Sequence, residues 1–320
     1  MNIFVTGASG FVGGDFVKAV AGRHAISAMS RSESSDAKIR AAGAAPVRCS
    51  LDDVEPAQMR GADAVVHCAA HVEDWGPWAD FWRFNVEGTR RMLAAAKEAG
   101  VKRFVHIGTE AALLYGQDLY EADETYPLAL DSPFPYSRTK AHAEKAVREA
   151  NAPGFETIVI RPRFVWGPGD QTILPVVRAM AADGKFAWID GGRHRTSTTY
   201  IGNLSYAIEL ALTQGKSGEA YFVLDGPPVV FREFLTRMAG AAGFALGDRE
   251  VPGWLVRTIA FASEKAWRTL PLKGRPALSR FTANVMTRDC ILVDVKARRE
   301  MGYAPPFTID AGMRALAAQA

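Results

Sequence analysis

The chain is poor in cysteine. Cys49, Cys68 and Cys290 are odd in number and far apart, which excludes a disulfide framework and offers no metal-ligand spacing. Reduced thiols suit a cytoplasmic protein. Long hydrophobic runs are also missing. The longest charge-free stretch, Met1 to Gly14, is broken by glycines and falls short of the about 18 apolar residues of a membrane-spanning helix. No positive N-terminal segment with a cleavage site is present, so no secretory signal is expected. Charge of one sign is scarce too: 38 basic against 35 acidic residues leave +3, and no basic cluster argues for nucleic acid. What is present is an ordinary globular composition, 48% hydrophobic and 23% charged over 320 residues. That length buries a sizeable core in one large domain or two modest ones.

Strand-like and helix-like patterns alternate through the first half. Asn2–Thr6, Ala25–Ser30, Ala62–Cys68, Arg103–Gly108 and Glu156–Arg161 read as short buried strands. Between them, Trp78–Ala99 places Phe81, Phe84 and Met92 on one helical face, and Tyr136–Ala150 is rich in Ala, Lys and Glu. This alternation predicts an α/β fold with a Rossmann-type, doubly wound parallel sheet. After Arg161 the texture changes to breaker-rich loops, then to helices punctuated by Pro252, Pro271, Pro276 and Pro305-Pro306. A dinucleotide-binding domain is expected over 1–161 with a return segment at 197–225, and a smaller, helix-rich substrate lobe over 162–196 and 226–320.

Two motifs carry chemistry. Gly7-Ala8-Ser9-Gly10-Phe11-Val12-Gly13 follows a strand and opens a helix, the context in which a glycine motif cradles a pyrophosphate. Gly7 takes the turn, Gly10 lets backbone approach the phosphates, and Gly13 lets helix pack on strand; the helix N-terminus adds free N–H groups. Tyr136 and Lys140 lie at i, i+4 on one helix face. An ammonium beside a phenol favours its ionised form, so the pair can serve as general acid or base toward a carbonyl or alcohol. At the end of the second strand, Ser30-Arg31-Ser32 offers no carboxylate for a ribose 2′-hydroxyl; an arginine there suits a 2′-phosphate. NADP(H) is therefore expected over NAD(H).

With these motifs, the segments His67-Cys68-Ala69-Ala70, Phe84-Asn85-Val86-Glu87-Gly88-Thr89, Thr109, and Arg161-Pro162 through Gly167-Pro168-Gly169 make the chain resemble the extended short-chain dehydrogenase/reductases over nearly all its length. The resemblance implies that Thr109 hydrogen-bonds the substrate oxygen, and that Lys140 also binds the nicotinamide ribose. It further implies that Leu51, Ala69 and Ala70 line the cofactor, that Pro162, Phe164 and Val165 meet the carboxamide, and that Asn85 packs inside the fold near the site. It also implies a homodimer. Thr198-Thr199-Tyr200-Ile201-Gly202-Asn203 in the stretch that begins at Thr196, the loop His71 to Trp78, and Arg161 to Trp166 are similar to the 3β-hydroxysteroid dehydrogenase branch, which includes sterol-4-carboxylate dehydrogenases and 2-alkyl-3-oxoalkanoate reductases. Gly202 and Ser50 stand where aspartate is usual. Nucleotide-sugar epimerases and dehydratases are the alternative, but Thr196 occupies the place of their diphosphate-binding arginine and Glu110 is followed by alanine rather than a second carboxylate. A non-catalytic dinucleotide sensor is a remote alternative, since such proteins usually lose the tyrosine or lysine.

The expected activity is interconversion of a secondary alcohol and a ketone on a hydrophobic substrate, such as a sterol, a polycyclic ketone or a long-chain β-keto acid. Trp75, Trp78, Glu110, Trp166 and His194 are the candidate substrate residues. Phe81 and Phe164 are expected mainly as core. His71, His106 and His194 have no partners at metal spacing, and no metal is expected. Trp254–Arg268 is amphipathic and basic, with Leu255, Ile259, Ala262 and Ala266 toward one side. A helix packed on the substrate lobe is expected, with a membrane-surface or lipid-entry helix the alternative.

Overall fold

Short apolar segments without polar alternation need cover on both faces, and a central parallel sheet supplies it. In the computed structural model, which describes residues 1–270, 272, 274–276 and 278–319, the strands run β1 (Asn2–Thr6), β2 (Ala25–Ser30), β3 (Ala45–Arg48), β4 (Ala64–His67), β5 (Arg103–Ile107), β6 (Leu119–Ala122), β7 (Glu156–Pro162), β8 (Val165–Trp166), β9 (Trp188–Ile189), β10 (Arg195–Thr196), β11 (Thr199–Tyr200), β12 (Ala220–Val223), β13 (Val229–Val230), β14 (Glu250–Val251) and β15 (Cys290–Leu292). The helices are α1 (Phe11–Val20), α2 (Glu33–Ala42), α3 (Trp78–Phe81), α4 (Gly88–Glu98), α5 (Pro135–Glu149), α6 (Leu174–Ala182), α7 (Ile201–Ala211), α8 (Phe231–Ala241), α9 (Gly253–Thr269), α10 (Arg280–Val285), α11 (Val295–Met301) and α12 (Ile309–Ala317).

Seven strands form the main sheet in the order β12-β7-β5-β4-β1-β2-β3, all parallel. The chain winds outward from β1 in one direction to β3 and then, from β4, in the other. The crevice at this reversal, outside the strand C-termini, is where such sheets bind ligands. β12, the return strand expected near Ala220, closes the edge beside β7. The segments beyond β7 join β6 in a four-stranded sheet, β13-β10-β15-β6, and form two small two-stranded ones. α8 packs with α12, and α11 packs beside β12, where Lys296 binds Glu219.

One helical expectation needs correction. The stretch from Trp78 is not one regular α-helix, because a π-turn over Trp82–Glu87 separates α3 from α4. Such turns insert one residue into the ladder and recur at functional sites; here it carries buried Asn85. In α9 the buried positions are Val256, Ala260 and Glu264, whereas Leu255, Ile259 and Ala262 are exposed. The helix packs through its small residues because α10 meets it at Ala283, leaving the larger apolar side outside.

Candidate active site

The glycine loop is bound to the neighbouring strand at atomic contact. Gly7 has φ +72°, and a Cβ there would lie 2.9 Å from the Ala69 nitrogen; one at Gly13 would lie 2.5 Å from the Gly7 carbonyl oxygen. Both positions therefore demand glycine. The Gly10 N–H donates to the Gly7 carbonyl at 3.0 Å, and Gly10 caps α1, whose first turn contains no acid. Phe11 and Val12 in that turn pack against the core. The Thr6 hydroxyl accepts from the Ala69 N–H at 3.0 Å and meets His67 Nδ1 at 2.8 Å, while His67 Nε2 meets Thr89 Oγ1 at 3.1 Å. Burial, aided by nearby Lys140, pulls the His67 imidazole down to about 3, so it stays neutral. This network holds the β1 and β4 loops together and brings Ala69 and Ala70 to Gly7. Leu51 is buried beneath, against Gly88.

At the end of β2, the Ser30 hydroxyl donates to Asp36 at 2.5 Å, and the Ser32 hydroxyl accepts from the Ser35 N–H to cap α2. Arg31 is exposed and makes no ion pair among the described residues. A second arginine was not foreseen. Arg48 pairs with Ser30 in the β2–β3 register and binds Asp36 at 2.8 Å. Only strand pairing brings it there, so no local sequence signal could show it.

The reacting groups converge from β5 and α5. Thr109 follows β5 and caps a 3₁₀ turn, its hydroxyl accepting from the Ala111 N–H at 3.1 Å and donating to Glu110 at 2.8 Å. Pro135 opens α5, a position where its missing N–H costs nothing. Tyr136 follows, and Lys140 stands one turn on, buried, with Nζ donating to the Ile107 carbonyl at 2.8 Å. Burial lowers the Lys140 amine to about 8 against the pull of Glu144. Burial and the Glu110 carboxylate push the Tyr136 phenol above its ordinary value, against a smaller lowering by the Thr109 hydroxyl.

Two buried ion pairs flank these groups. Arg161 meets Glu144 through two nitrogens, with Nε at 2.9 Å. Arg163 binds Glu110 at 2.5 Å and reaches the Thr196 hydroxyl at 3.1 Å. Asn85 clamps the loop at His71 to α5: its Oδ1 accepts from the His71 N–H at 2.7 Å, and its Nδ2 donates to the His71 carbonyl and to Thr139. That full set of bonds makes it a structural amide.

A narrow crevice, with room for little more than one water molecule, opens beside Arg163; Leu114, Phe134, Phe281 and Cys290 line it together with Gln117 and Asn284. Phe281, on α10, meets the Tyr136 ring edge-on at 5.5 Å. This wall was not anticipated, because 145 positions of chain separate the two rings and only the tertiary fold joins them. The anticipated aromatic residues are placed differently. Trp166 is a correction: it is wholly buried, packs on Tyr200 and Phe234, and donates its indole N–H to Asp225 at 2.8 Å. A shape-filling indole with its one donor satisfied is core, not a substrate contact. Trp75 lies under Arg268, and Trp78 is 41% exposed between Trp82 and Arg138. His194 stacks on Phe231 at 4.6 Å, and burial lowers its imidazole to about 4. None of these three lines the crevice. Pro162 ends β7, with Phe164 and Val165 just beyond. Phe164 holds φ +43°, a strained conformation for a bulky residue, between Phe231 and Phe234. Among the described residues no cluster of His, Cys, Asp or Glu could hold a metal.

A parallel sheet with a glycine cradle, and Thr, Tyr and Lys gathered beyond its C-terminal edge, define an extended short-chain dehydrogenase/reductase. Comparison makes the assignment narrower. Residues 4–252 match the model of the 3-beta hydroxysteroid dehydrogenase/isomerase family, and the chain belongs to that family. It is 39% identical to a 4-hydroxy-2-methyl-3-oxo-4-farnesyl-3,4-dihydroquinoline-1-oxide ketoreductase of Stigmatella aurantiaca, covering 99% of this chain and 96% of that protein. It is 33% identical to a 2-alkyl-3-oxoalkanoate reductase of Stenotrophomonas maltophilia, covering 99% of each. A solved UDP-glucuronic acid 4-epimerase from Bacillus cereus superposes with a TM-score of 0.76 at 17% identity, covering 100% of this chain and 98% of that one; this likeness concerns the fold. The protein is an oxidoreductase.

Proposed function

We propose that the chain reduces a ketone to a secondary alcohol on an apolar polycyclic or long-chain substrate, using NADPH in preference to NADH. The observation that carries this reading is the gathering of Tyr136 beside the Thr109 hydroxyl, with Lys140 buried one turn on along α5. A phenol held protonated is suited to give a proton to a carbonyl oxygen as negative charge develops there. The cradle fits a nicotinamide dinucleotide, since Cβ atoms at Gly7 and Gly13 would fill the space of the turn, and exposed Arg31 follows Ser30 where a 2′-phosphate would lie.

Thr109 and Tyr136 would hold the carbonyl oxygen between two hydroxyls. When bound, the reduced nicotinamide supplies hydride to the carbonyl carbon. Tyr136 gives its proton to the oxygen, and the Lys140 ammonium stabilises the phenolate that remains. Lys140 would also bind the cofactor ribose. The Phe281 ring against Tyr136 favours an apolar ketone, and the nearby cation, Arg163, is already engaged by Glu110. A diphosphate would need free paired cations. The two relatives named above are both reductases of oxo compounds carrying alkyl or farnesyl groups by their names.

A panel of sterols, polycyclic ketones, β-keto acids and nucleotide sugars, each with NADPH and NADH, tests the proposal. An apolar ketone should turn over with NADPH, and Tyr136→Phe should lower the rate by about 10²–10⁴-fold with cofactor binding retained. Arg31→Ala should weaken NADPH binding by about tenfold, the scale of one charge-assisted bond, and leave NADH binding unchanged. Turnover of a nucleotide sugar ahead of every apolar ketone would overturn the substrate reading.

A further inference from the structure

The crevice beside Arg163 holds hydrogen-bond donors that the chain itself leaves unused. The Arg163 backbone N–H donates to the Thr199 hydroxyl at 3.0 Å, its Nε to the Thr196 hydroxyl at 3.1 Å, and its Nη1 to Glu110. Its Nη2 has no acceptor among the described residues, and the side chain forms part of the crevice wall. Arg288 forms another part. Its Nη1 donates to Asp118 at 3.0 Å, while its Nε is buried without an acceptor. The polar groups around them are turned elsewhere. Gln117 accepts from the Tyr115 N–H and donates to the Leu113 carbonyl, and Asn284 donates to the Arg280 carbonyl. Asp289 accepts from the Arg195 N–H and the Tyr120 hydroxyl. The Leu114, Phe134 and Phe281 side chains offer no acceptor at all. A buried donor left unpaired is costly, so the crevice is set to receive an oxygen from outside the chain.

Size, place and charge restrict what that oxygen belongs to. The space is little larger than a water molecule, which admits one oxygen substituent and no ring or alkyl tail. It lies next to the reacting groups. Glu110 is the bridge: one of its oxygens takes Arg163 Nη1, and the other takes the Thr109 hydroxyl at 2.8 Å. Phe281 lines the crevice and also meets the Tyr136 ring. An oxygen here therefore sits a few bonds from the carbonyl that Thr109 and Tyr136 would hold. The charges decide its kind. Glu110 and Asp118 balance the two guanidinium groups, and Asp289 adds a third carboxylate to the wall. An arriving carboxylate would meet like charge, whereas an uncharged carbonyl or hydroxyl oxygen takes the spare N–H groups without that repulsion.

We propose that Arg163 and Arg288 determine specificity by donating to a second, uncharged oxygen of the substrate, so that a ketone carrying a further carbonyl or hydroxyl group nearby is preferred over a plain ketone and over a β-keto acid. The substrate class rests on the ketone reduction proposed above. Three compounds that share a quaternary carbon beside the carbonyl test it: a 2,2-dialkylcyclohexane-1,3-dione, the matching 2,2-dialkylcyclohexanone, and a 1-alkyl-2-oxocyclohexanecarboxylate. Each is titrated into the full chain loaded with NADP⁺, and each is assayed for turnover with NADPH. The dione should bind more tightly than the monoketone and exceed it in kcat/KM by about tenfold, the scale of one buried donor satisfied, with the carboxylate below the dione. Arg288→Leu removes one donor, and Arg163→Lys removes the other while keeping a cation for Glu110. Each should cut the dione-to-monoketone ratio by about tenfold, chiefly through KM, whereas general damage to the fold lowers both rates and leaves the ratio in place. Equal handling of dione and monoketone by the parent, a ratio unchanged in both variants, or a preference for the carboxylate overturns the proposal. Tighter binding of the dione without turnover of any of the three leaves the specificity site standing and overturns the function.

Discussion

Arg161 and Arg163 stand two residues apart, and each is turned onto a buried glutamate, yet the two pairs face different things. Arg161 and Glu144 are sealed, with side chains 0% exposed, and the guanidinium lies over Phe222. Both Glu144 oxygens are taken by the one arginine. Arg163 and Glu110 are 5% and 6% exposed, and their bonds are divided. Arg163 also serves Thr196, and the second Glu110 oxygen takes the Thr109 hydroxyl. The first pair closes on itself and holds α5 to β7 beneath Lys140. The second keeps a carboxylate next to Tyr136, where it raises the phenol. Similar residues therefore do different work: one pair fixes a helix, and the other sets a proton. Neither pair is fully satisfied: Arg161 Nη1 is buried without a hydrogen-bond partner, which costs stability, and the divided pair leaves a carboxylate beside the phenol.

The strongest way to break this comparison is Arg161→Met. It strands the Glu144 charge in the core, which costs about 3–5 kcal/mol. Denaturant melts should show the loss. Glu144→Met combined with Arg161→Met should recover most of it, because apolar replacement of a whole buried pair is often neutral. A single variant as stable as the parent would show that the pair is not what holds α5 in place.

Much of this arrangement was legible in the sequence, for a physical reason. The glycine loop, Tyr136/Lys140 and the sheet strands depend on local spacing, and local spacing is what a sequence displays. Ala220–Val223 returned to the sheet as its apolar run implied. The misread features depend on partners far along the chain. Trp166 reads as a loop aromatic until Asp225 takes its N–H. The packed face of α9 is set by Ala283 of α10, against which Val256 and Ala260 fit. Arg48 and Phe281 reach the site only through strand pairing and lobe packing.

Lys140 sharpens the comparison at its catalytic end, because Glu144 supports its charge while burial opposes it. Its amine titrates at about 8 in the folded chain, below the ordinary 10.5. Ketone reduction should therefore fall as pH rises through about 8, losing about tenfold per unit beyond it as the ammonium disappears. The stability contribution runs the other way. Between about 8 and 10.5 the unfolded chain binds more protons at this group than the folded one, so this contribution rises with pH. Paired rate and melting profiles check it. Loss of rate in step with loss of fold would show alkaline unfolding rather than Lys140 deprotonation.

The smallest expected effect comes from Glu110→Gln, which addresses the divided pair directly. The amide keeps an oxygen for Arg163, and Thr196 still accepts from that guanidinium, so the fold should lose less than in Arg161→Met. What disappears is the negative charge beside Tyr136. Without it the phenolate is less disfavoured, and the phenol should become more acidic by about one unit, the size of a near charge contact. That unit is worth about 1.4 kcal/mol between the two protonation states. In alcohol oxidation, where Tyr136 must first lose its proton, the rising limb of the pH–rate profile should move about one unit lower. Ketone reduction at neutral pH should change little, since the phenol remains protonated in both proteins. Profiles of the parent and the variant in both directions distinguish this from general damage, which would lower both rates without moving either limb. An oxidation limb that stays in place would show that Glu110 serves Arg163 alone, and the two ion pairs would then differ only in how deeply they lie.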